Sequence, residues 1–298
     1  MTEDGVIHGV AGWQGSSPLH PYLVVDVFTR EPLQGNQLGV FLDGRPFSSG
    51  EMQRLARELN FAETLFLLPP RQGGDVRVRI FTPGAELPFA GHPVLGAAFV
   101  VGQSTGADSI TLETGIGLVP LALEREGERI VFGRMKQPVA PCEPFAPAAE
   151  LLDALGVTAS LLPIELYRNG PPHVYVRLAS DAAVAALQPD MVALKELNVA
   201  ANCFAGQGRS WKTRMFYPAA GVPEDPATGS AAGPLALHLV RHGQIARGDE
   251  IEISQGAEIG RPSLLYATVV GTGERADAVE VGGAALIVAE GRYRIAPA

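Results

Sequence analysis

The sequence predicts an α+β fold made of two similar halves. Many short β-rich runs surround only two apolar, Ala-rich helical stretches, which is typical of α+β proteins rather than of a doubly wound parallel sheet. A Pro/Gly-rich turn precedes each stretch, at residues 86–91 and again at 223–229. The segments before these turns, 79–83 and 214–218, correspond at an offset of 135 residues in a chain of 298. This repeat predicts a duplicated fold with its site between the halves.

The composition argues against several classes of protein. A net charge of −9 and a pI near 5.2 disfavour nucleic acid or an anionic membrane as a partner, since both need basic patches. Cys142 and Cys203 lie far apart and form neither a metal motif nor a disulfide framework. Residues 1–4 carry acid where a signal peptide carries base, and no apolar run approaches the ~20 residues of a membrane span. We therefore expect a cytoplasmic protein.

The first half is predicted to follow a loose leader, because residues 1–19 contain Gly, Ser and Pro without periodicity. Ser48 and Glu51 form a capping box at the start of a helix, and Asn60 suits a left-handed helix end. A second, apolar helix is expected at about 92–101. Runs of β-forming residues predict strands at 22–28, 38–42, 64–68, 76–81, 110–113, 118–123 and 129–135.

Four prolines within residues 138–148 mark the boundary between the halves. The N-terminal half is therefore predicted at 20–138 and the C-terminal half at 139–283. Helices are predicted at 148–155, 180–187 and about 228–242. Strands are predicted at 164–168, 173–178, 201–205, 211–217, 250–254, 263–272, 277–281, 284–290 and 292–295. The chain has no G-x-G-x-x-G after a strand and no Walker-type phosphate loop.

Glu63 lies where the first helix ends and the next strand begins. Its neighbours Phe61, Ala62, Leu65 and Phe66 are apolar. A solvated glutamate at a strand entrance is one interpretation. A general acid or base is the other, because burial raises the pKa of a carboxyl toward the working pH.

The two turns contain further polar groups. His92 either caps its helix or acts as a neutral proton donor and acceptor at the helix N-terminus. For Asp225 and Ser230, helix capping and dipole matching are the alternative to a chemical role. Gly91 and Gly229 allow a ligand close to the backbone, where the N–H groups of a helix start can hold an anion.

Two other features stay open. The loop with Gln255, Gly256 and residues 260–263 is either a bulge or a substrate-facing segment. Cys142 and Cys203 lie outside both turns, and we interpret them as core thiols rather than nucleophiles.

Five groups of motifs follow one another along the chain. They are Asp-Val-Phe-Thr (26–29) with Gln-Gly-Asn (34–36), Asn-Phe-Ala-Glu-Thr (60–64), Phe-Ala-Gly-His-Pro (89–93), Glu-Asp-Pro-Ala-Thr-Gly-Ser-Ala (224–231), and Gln-Gly with Gly-Arg-Pro-Ser (255–263). From about Tyr22 onward the chain thereby resembles the PhzF family, the phenazine-biosynthesis isomerase and its relatives. The resemblance implies a diaminopimelate-epimerase-like fold: two pseudo-symmetric halves, each a curved sheet around a central helix. It also implies that the last strand, about 284–298, joins the N-terminal half.

The resemblance further implies a site. Epimerases of this fold use a cysteine at each helix start, whereas neither cysteine of this chain lies there, which disfavours two-thiol racemisation. The resemblance assigns acid/base catalysis to Glu63, an assisting role to three polar groups, and substrate binding to three further residues. The assisting groups are His92, Asp225 and Ser230, and the substrate-binding residues are Gly91, Gly229 and Asn36.

The implied reaction is the isomerisation of trans-2,3-dihydro-3-hydroxyanthranilate or another small anionic metabolite. Glu63 would take a proton from one ring carbon and return it to another. We expect no metal or organic cofactor, no nucleic-acid or membrane partner, and a homodimer. The alternatives are an epimerase or dehydratase on another carboxylated substrate, and a non-catalytic small-molecule-binding protein.

Overall fold

The protein is described here by a computed structural model that covers residues 18–271 and 276–295. The predicted leader lies outside these residues except for its last two, and the first strand begins at Leu19. The helices of the described residues are α1 Ser49–Leu59, α2 Gly91–Thr105, α3 Ala148–Leu155, α4 Asp181–Ala185, α5 Met191–Leu197 and α6 Gly229–Arg241. The strands are β1 Leu19–Val27, β2 Asn36–Phe41, β3 Glu63–Leu68, β4 Val76–Phe81, β5 Glu86–Leu87, β6 Ser109–Thr114, β7 Gly117–Glu126, β8 Arg129–Gln137, β9 Cys142–Pro144, β10 Glu165–Arg168, β11 Pro172–Arg177, β12 Ala200–Gln207, β13 Ser210–Tyr217, β14 Val222–Asp225, β15 Glu250–Gln255, β16 Ser263–Val270, β17 Ala278–Gly283 and β18 Ala285–Arg294.

The strands pair in one continuous series with a two-fold repeat. The order is β18-β1-β2-β3-β4-β6-β7-β8, followed by β17-β16-β15-β13-β12-β11-β10-β9. The short strands β5 and β14 add to β4 and β13. Parallel pairs fall at equivalent places, β2–β3 and β4–β6 in one set and β11–β12 and β13–β15 in the other. The repeat confirms the predicted fold class with its two pseudo-symmetric halves.

One antiparallel pairing joins the two sets, and another brings the end of the described chain into the first set. β18 lies along β1, with Leu19 opposite Arg294 and Val27 opposite Ala285. β8 lies along β17, with Gln137 opposite Val279. The end of the described chain therefore pairs with its beginning, and the sheet continues from one half into the other.

The helices α2 and α6 lie inside the curved sheets. Residues 91–102 of α2 are all buried, as are residues 229–236 of α6. A helix buried on every side needs apolar residues all round. It also needs small residues where strands approach: a Cβ atom on Gly96 would lie 2.7 Å from Leu38 Cδ2. This explains why both stretches are rich in Ala and Gly.

Local signals account for most of the helix ends. The capping box of α1 is confirmed, since Ser48 and Glu51 exchange both hydrogen bonds, and Asn60 ends the helix with a left-handed φ of 53°. The helix α5 was not predicted, because seven residues are too few to display a helical period. The two last predicted strands form one strand, β18. Gly291 interrupts its pattern because the ring of Tyr22 occupies the place of a Cβ atom.

Candidate active site

The N-termini of α2 and α6 meet at the centre of the molecule. A Cβ atom on Gly91 would lie 2.6 Å from the carbonyl carbon of Gly229, so the two helix starts touch through backbone. The N–H groups of a first helical turn have no acceptor within the helix. Those of Gly91, His92, Gly229 and Ser230 therefore gather at one place, where two helix dipoles also favour an anion.

A narrow cleft, partly open to solvent, lies over this junction. Six of the seven predicted site residues line it: Glu63, Gly91, His92, Asp225, Gly229 and Ser230. Its remaining lining is mostly apolar and comes from both halves: Leu87 and Ala90 from the first, Pro171, Met215, Tyr217, Ala220 and Val222 from the second, together with Thr82 and Thr228. The cleft thus combines two helix N-termini at its base, where helix dipoles favour an anion, with apolar walls.

Glu63 is the first residue of β3, directly after the turn that ends α1. Its side chain is 14% exposed, and Oε2 is buried without a hydrogen-bond partner among the described residues. Burial, and secondarily the charge of Asp225, raises the pKa of Glu63 well above its ordinary value. The carboxyl group is therefore free to contact a ligand, and its burial favours the protonated form.

His92 faces Glu63 across 3.4 Å, measured from Nε2 to Oε2. It is the second residue of α2 and does not cap the helix, whose N-cap is Ala90. Its Nδ1 lies 3.2 Å from the amide nitrogen of Asn36. Burial lowers the pKa of His92 to about 3, so the ring is neutral at physiological pH. The structure therefore places a neutral imidazole beside the proposed acid/base.

Asp225 contributes a second buried carboxyl group, at the end of β14. The amide of Asn36 donates to its Oδ1 (2.8 Å) and the hydroxyl of Thr228 to its Oδ2 (2.6 Å). Burial nevertheless raises the pKa of Asp225 to about 6, against the effect of these donors. Asn36 itself is fully buried beneath the cleft and does not line it. It connects β2 of the first half to Asp225 of the second.

Ser230 is the second residue of α6, the place equivalent to His92 in α2. It does not cap the helix either. Its hydroxyl lies 3.0 Å from Nε2 of His173, a fully buried residue of β11 whose pKa burial lowers to about 3. Sequence reasoning missed His173. The available signal was weak: a histidine near the start of a predicted strand, without a recognisable motif around it.

Further supports of the site come from the motif that the sequence left open. The Gln255 amide donates to the Asp225 carbonyl (2.8 Å) and to the Thr228 hydroxyl (2.9 Å). Gln255 therefore stabilises the turn at residues 223–229, which precedes α6. Arg261 donates to Asp26 Oδ1 (2.6 Å) and to the carbonyl groups of Gln34 (2.6 Å) and Gly35 (2.9 Å). Among the described residues that line the cleft, neither Gln255 nor Arg261 is found. This loop therefore supports the site instead of facing it.

The cysteines and the metal-ligating side chains lie elsewhere. Cys203 is buried in β12, where burial raises its pKa to about 12, and Cys142 belongs to β9. Within the described parts of the chain, one group of side chains could hold a metal: Glu165, His238 and His242, outside the cleft. No helix of these parts is both long and apolar enough to cross a membrane.

A buried carboxyl group over two converging helix starts, between two equivalent halves, fits an enzyme of the isomerase and epimerase class. Residues 25–291 match the family described as phenazine biosynthesis-like protein, PhzC-PhzF. The trans-2,3-dihydro-3-hydroxyanthranilate isomerase of Pseudomonas aeruginosa is 56% identical, over 92% of this chain and 99% of that protein. A PhzF-family phenazine biosynthesis protein of Bacillus anthracis superposes with a TM-score of 0.81 at 25% identity, over 93% of this chain and 100% of that one.

A hydroxyproline epimerase of Agrobacterium vitis shares the fold, with a TM-score of 0.66 at 14% identity over 92% and 91% of the two chains. The chain belongs to the PhzF family. It is an isomerase of the PhzF type with a diaminopimelate-epimerase-like fold, as the motifs predicted. It acts on a small-molecule substrate.

Proposed function

We propose that this isomerase acts on trans-2,3-dihydro-3-hydroxyanthranilate, with Glu63 as its acid/base. The observation that carries the proposal is the buried, unpartnered Oε2 of Glu63 in a cleft with an anion-binding base. The 56% identical relative is named for this substrate. An unsaturated ring with one carboxylate also matches the cleft in chemistry.

The substrate carboxylate is proposed to lie against the N–H groups of Gly91, His92, Gly229 and Ser230. Four donors and two helix dipoles converge there, which is the arrangement that binds carboxylates and phosphates at helix starts. The ring is then proposed to lie against the apolar lining, which includes Leu87 from the first half and Met215 from the second. Binding at both helix starts holds the ring at a fixed distance from Glu63.

Glu63 is proposed to take a proton from one ring carbon and return it to another on the same face of the ring. The double bonds shift, and the enol becomes a ketone. The carboxyl group ends the cycle with the proton count with which it began, so one residue serves both steps. The neutral His92 and the hydrogen-bonded Asp225 and Ser230 are proposed to orient the substrate and polarise it.

Turnover in D₂O tests this proposal. We expect the wild type to convert the hydroxyanthranilate substrate and to place deuterium on a ring carbon of the product, detected by NMR. Glu63→Gln should lower the rate by ~10²–10⁴-fold, the usual size of a general acid/base contribution. Glu58→Gln, an exposed glutamate of α1, is the matched control and should leave the rate unchanged.

Each departure from this result has a defined meaning. Neither turnover nor deuterium uptake by the wild type would exclude this substrate. Deuterium uptake without a rearranged product would indicate an epimerase. An undiminished rate in Glu63→Gln would remove Glu63 from its role.

We further propose a homodimer in the cytoplasm and a division into halves at residues 138 and 139. The family resemblance supports the dimer, and the acidic composition is compatible with a cytoplasmic location. The pairing of β18 with β1 supports assigning residues from about 284 onward to the first half. Light scattering of the purified chain, cell fractionation, and expression of the separate halves test these three points in turn.

A further inference from the structure

A buried group of two histidines and one glutamate lies at the far end of α6 from the cleft. His238 is in the last turn of α6 and His242 is its C-cap, four residues on and therefore on the same face. Glu165 begins β10 and faces both. Its Oε2 lies 3.1 Å from His238 Nδ1 and 3.0 Å from His242 Nε2.

These distances fit three ligands of one small cation. The three ligand atoms all lie within 4.8 Å of one another. Ligands about 2.1 Å from a tetrahedral Zn²⁺ ion are separated from one another by about 3.4 Å. The distances from Glu165 Oε2 to His238 Nδ1 and His242 Nε2, 3.1 Å and 3.0 Å, are each within about 0.4 Å of this separation.

The surrounding residues hold the three groups in place. The Tyr167 hydroxyl donates to Glu165 Oε2 at 2.9 Å, and Arg241 contacts the other oxygen, Oε1, at 3.3 Å. The His238 ring stacks on Tyr175 with a centroid distance of 5.7 Å. Its Nε2 has no hydrogen-bond partner among the described residues, whereas its Nδ1 faces Glu165. Nδ1 is therefore the nitrogen that would bind the ion. Such support from neighbouring side chains is what orients metal ligands.

Of the three side chains, that of His242 is the most exposed to solvent. The side chains of His238 and Glu165 are 0% and 8% exposed, whereas that of His242 is 18% exposed. An ion can enter past His242, and a water molecule can complete its coordination there. The same opening lets solvent screen the charge of the half-exposed Arg241.

We propose that Glu165, His238 and His242 form a binding site for a divalent transition-metal ion, with Zn²⁺ the best fit. Two imidazoles and one carboxylate are a common ligand set for this ion. The site is structural: it ties the end of α6 to β10 in the second half. His238 is nine residues from Gly229, about 14 Å along the helix axis, so the ion takes no part in proton transfer at Glu63.

Metal titration of the chelator-treated full chain tests the proposal. We expect native mass spectrometry to show one Zn²⁺ per chain, and Co²⁺ to give the visible absorption of a four-coordinate ion. Glu165→Gln and His242→Gln should each weaken binding by ~10²-fold or more, since loss of a ligand exceeds the 10–100-fold effect of its supports. His20→Gln and Cys142→Ser, which remove potential ligands outside the group, should bind as the wild type does.

Several results would overturn the site. They are the absence of a bound ion in the wild type, unchanged binding in both ligand variants, or loss of the ion in Cys142→Ser. The group would then be a hydrogen-bonded anchor between α6 and β10. Should the ligand variants fold poorly by circular dichroism, the wild type still decides: Zn²⁺ must raise its Tm, and a chelator must reverse the rise.

Discussion

At the scale of single residues, two buried carboxyl groups have different partners. Asp225 accepts two short hydrogen bonds, whereas Oε2 of Glu63 accepts none from the described residues. Hydrogen-bond donors favour the charged form of a carboxyl group. Asp225 therefore gives up its proton at a lower pH than Glu63, and its charge then helps to keep the pKa of Glu63 high. Different environments give the two groups different roles.

This difference predicts a specific pH dependence. In the proposed mechanism the base form of Glu63 begins the reaction, so kcat/KM should fall as the pH falls through its raised pKa. Asp225→Asn removes the negative charge and should move this acid limb to lower pH, whatever its effect on the maximal rate. The measurement is a pH profile of kcat/KM for both proteins.

The control for this profile is His92→Gln. Burial holds the pKa of His92 near 3, so its ionisation adds no limb around neutral pH. The variant should lower the rate and leave the acid limb in place. An unmoved limb in Asp225→Asn, or a displaced one in His92→Gln, contradicts the assignment of the limb to Glu63.

His173 yields a second prediction at this scale. Its Nε2 is the partner of the Ser230 hydroxyl at 3.0 Å, and it lines no part of the cleft. We expect His173→Phe to lower kcat by about 2–10-fold, the value of one lost hydrogen bond. In a Ser230→Ala background the same change should have no further effect on kcat. A purely structural role would lower kcat equally in both backgrounds.

The site residues show how far single residues can be predicted from a sequence. Glu63, His92, Asp225 and Ser230 lie in recognisable motifs, and all four line one cleft. Their partners are harder to predict, because Asn36 reaches Asp225 across 189 positions and His173 reaches Ser230 across 57. The proposed metal ligands are hard to predict for the same reason. The H-x-x-x-H spacing of His238 and His242 is visible in the sequence, but Glu165 lies 73 residues away from His238.

At the scale of elements, the contact between the two helix starts depends on glycine. Gly91→Ala would place a Cβ atom 2.6 Å from the backbone of Gly229, so α2 and α6 must move apart. We expect a loss of about 1–3 kcal/mol in the free energy of unfolding from overpacking. Since displacement of about 1 Å can cost 10²-fold in rate, kcat/KM should fall by roughly that factor.

Gly50→Ala is the matched control for this prediction. Gly50 lies in α1, and nothing is within 4 Å of the place of its Cβ atom. Alanine should therefore stabilise the protein by about 0.5–1 kcal/mol, because glycine loses more conformational entropy in a helix. Denaturant unfolding and steady-state kinetics measure both variants. A Gly91→Ala protein with unchanged kinetics would show that the helix junction does not bind the substrate.

Prediction at this scale succeeds where a local signal exists. The capping box of α1 and the continuous apolar run of α2 can both be predicted from residues within the helix or next to it. The two-residue β5 and three-residue β9 have no such signal, since they exist through pairing with β4 and β10. Short strands of this kind are a product of tertiary structure and are missed by periodicity.

At the scale of the whole molecule, the internal repeat was enough to predict two similar halves. The way in which they join was not predicted from residue patterns. The pairing of β8 with β17 brings together residues 137 and 279. A pairing between residues so far apart in the chain cannot be predicted from local sequence patterns. The resemblance supplied the return of the last strand, which is now seen as β18 beside β1.

Arg261 and Asp26 make a second connection across the molecule, close to the site. Asp26 is 1% exposed, and Arg261 also binds the Gln34 and Gly35 carbonyl groups directly before Asn36. Arg261→Gln should leave Asp26 buried without its cation and lower the free energy of unfolding by about 3 kcal/mol. It should also lower kcat/KM, because Asn36 positions Asp225.

Two further variants make this prediction specific. Adding Asp26→Asn to Arg261→Gln should restore part of the lost stability, since no uncompensated buried charge remains. It should not restore the rate, because the carbonyl groups before Asn36 still lack their donor. Arg45→Gln breaks an ion pair whose side chains are 69% and 37% exposed, and it should barely change Tm. If Arg261→Gln proves as mild as Arg45→Gln in both stability and rate, the ion pair of Arg261 with Asp26 is not needed to hold the halves together or to position Asn36.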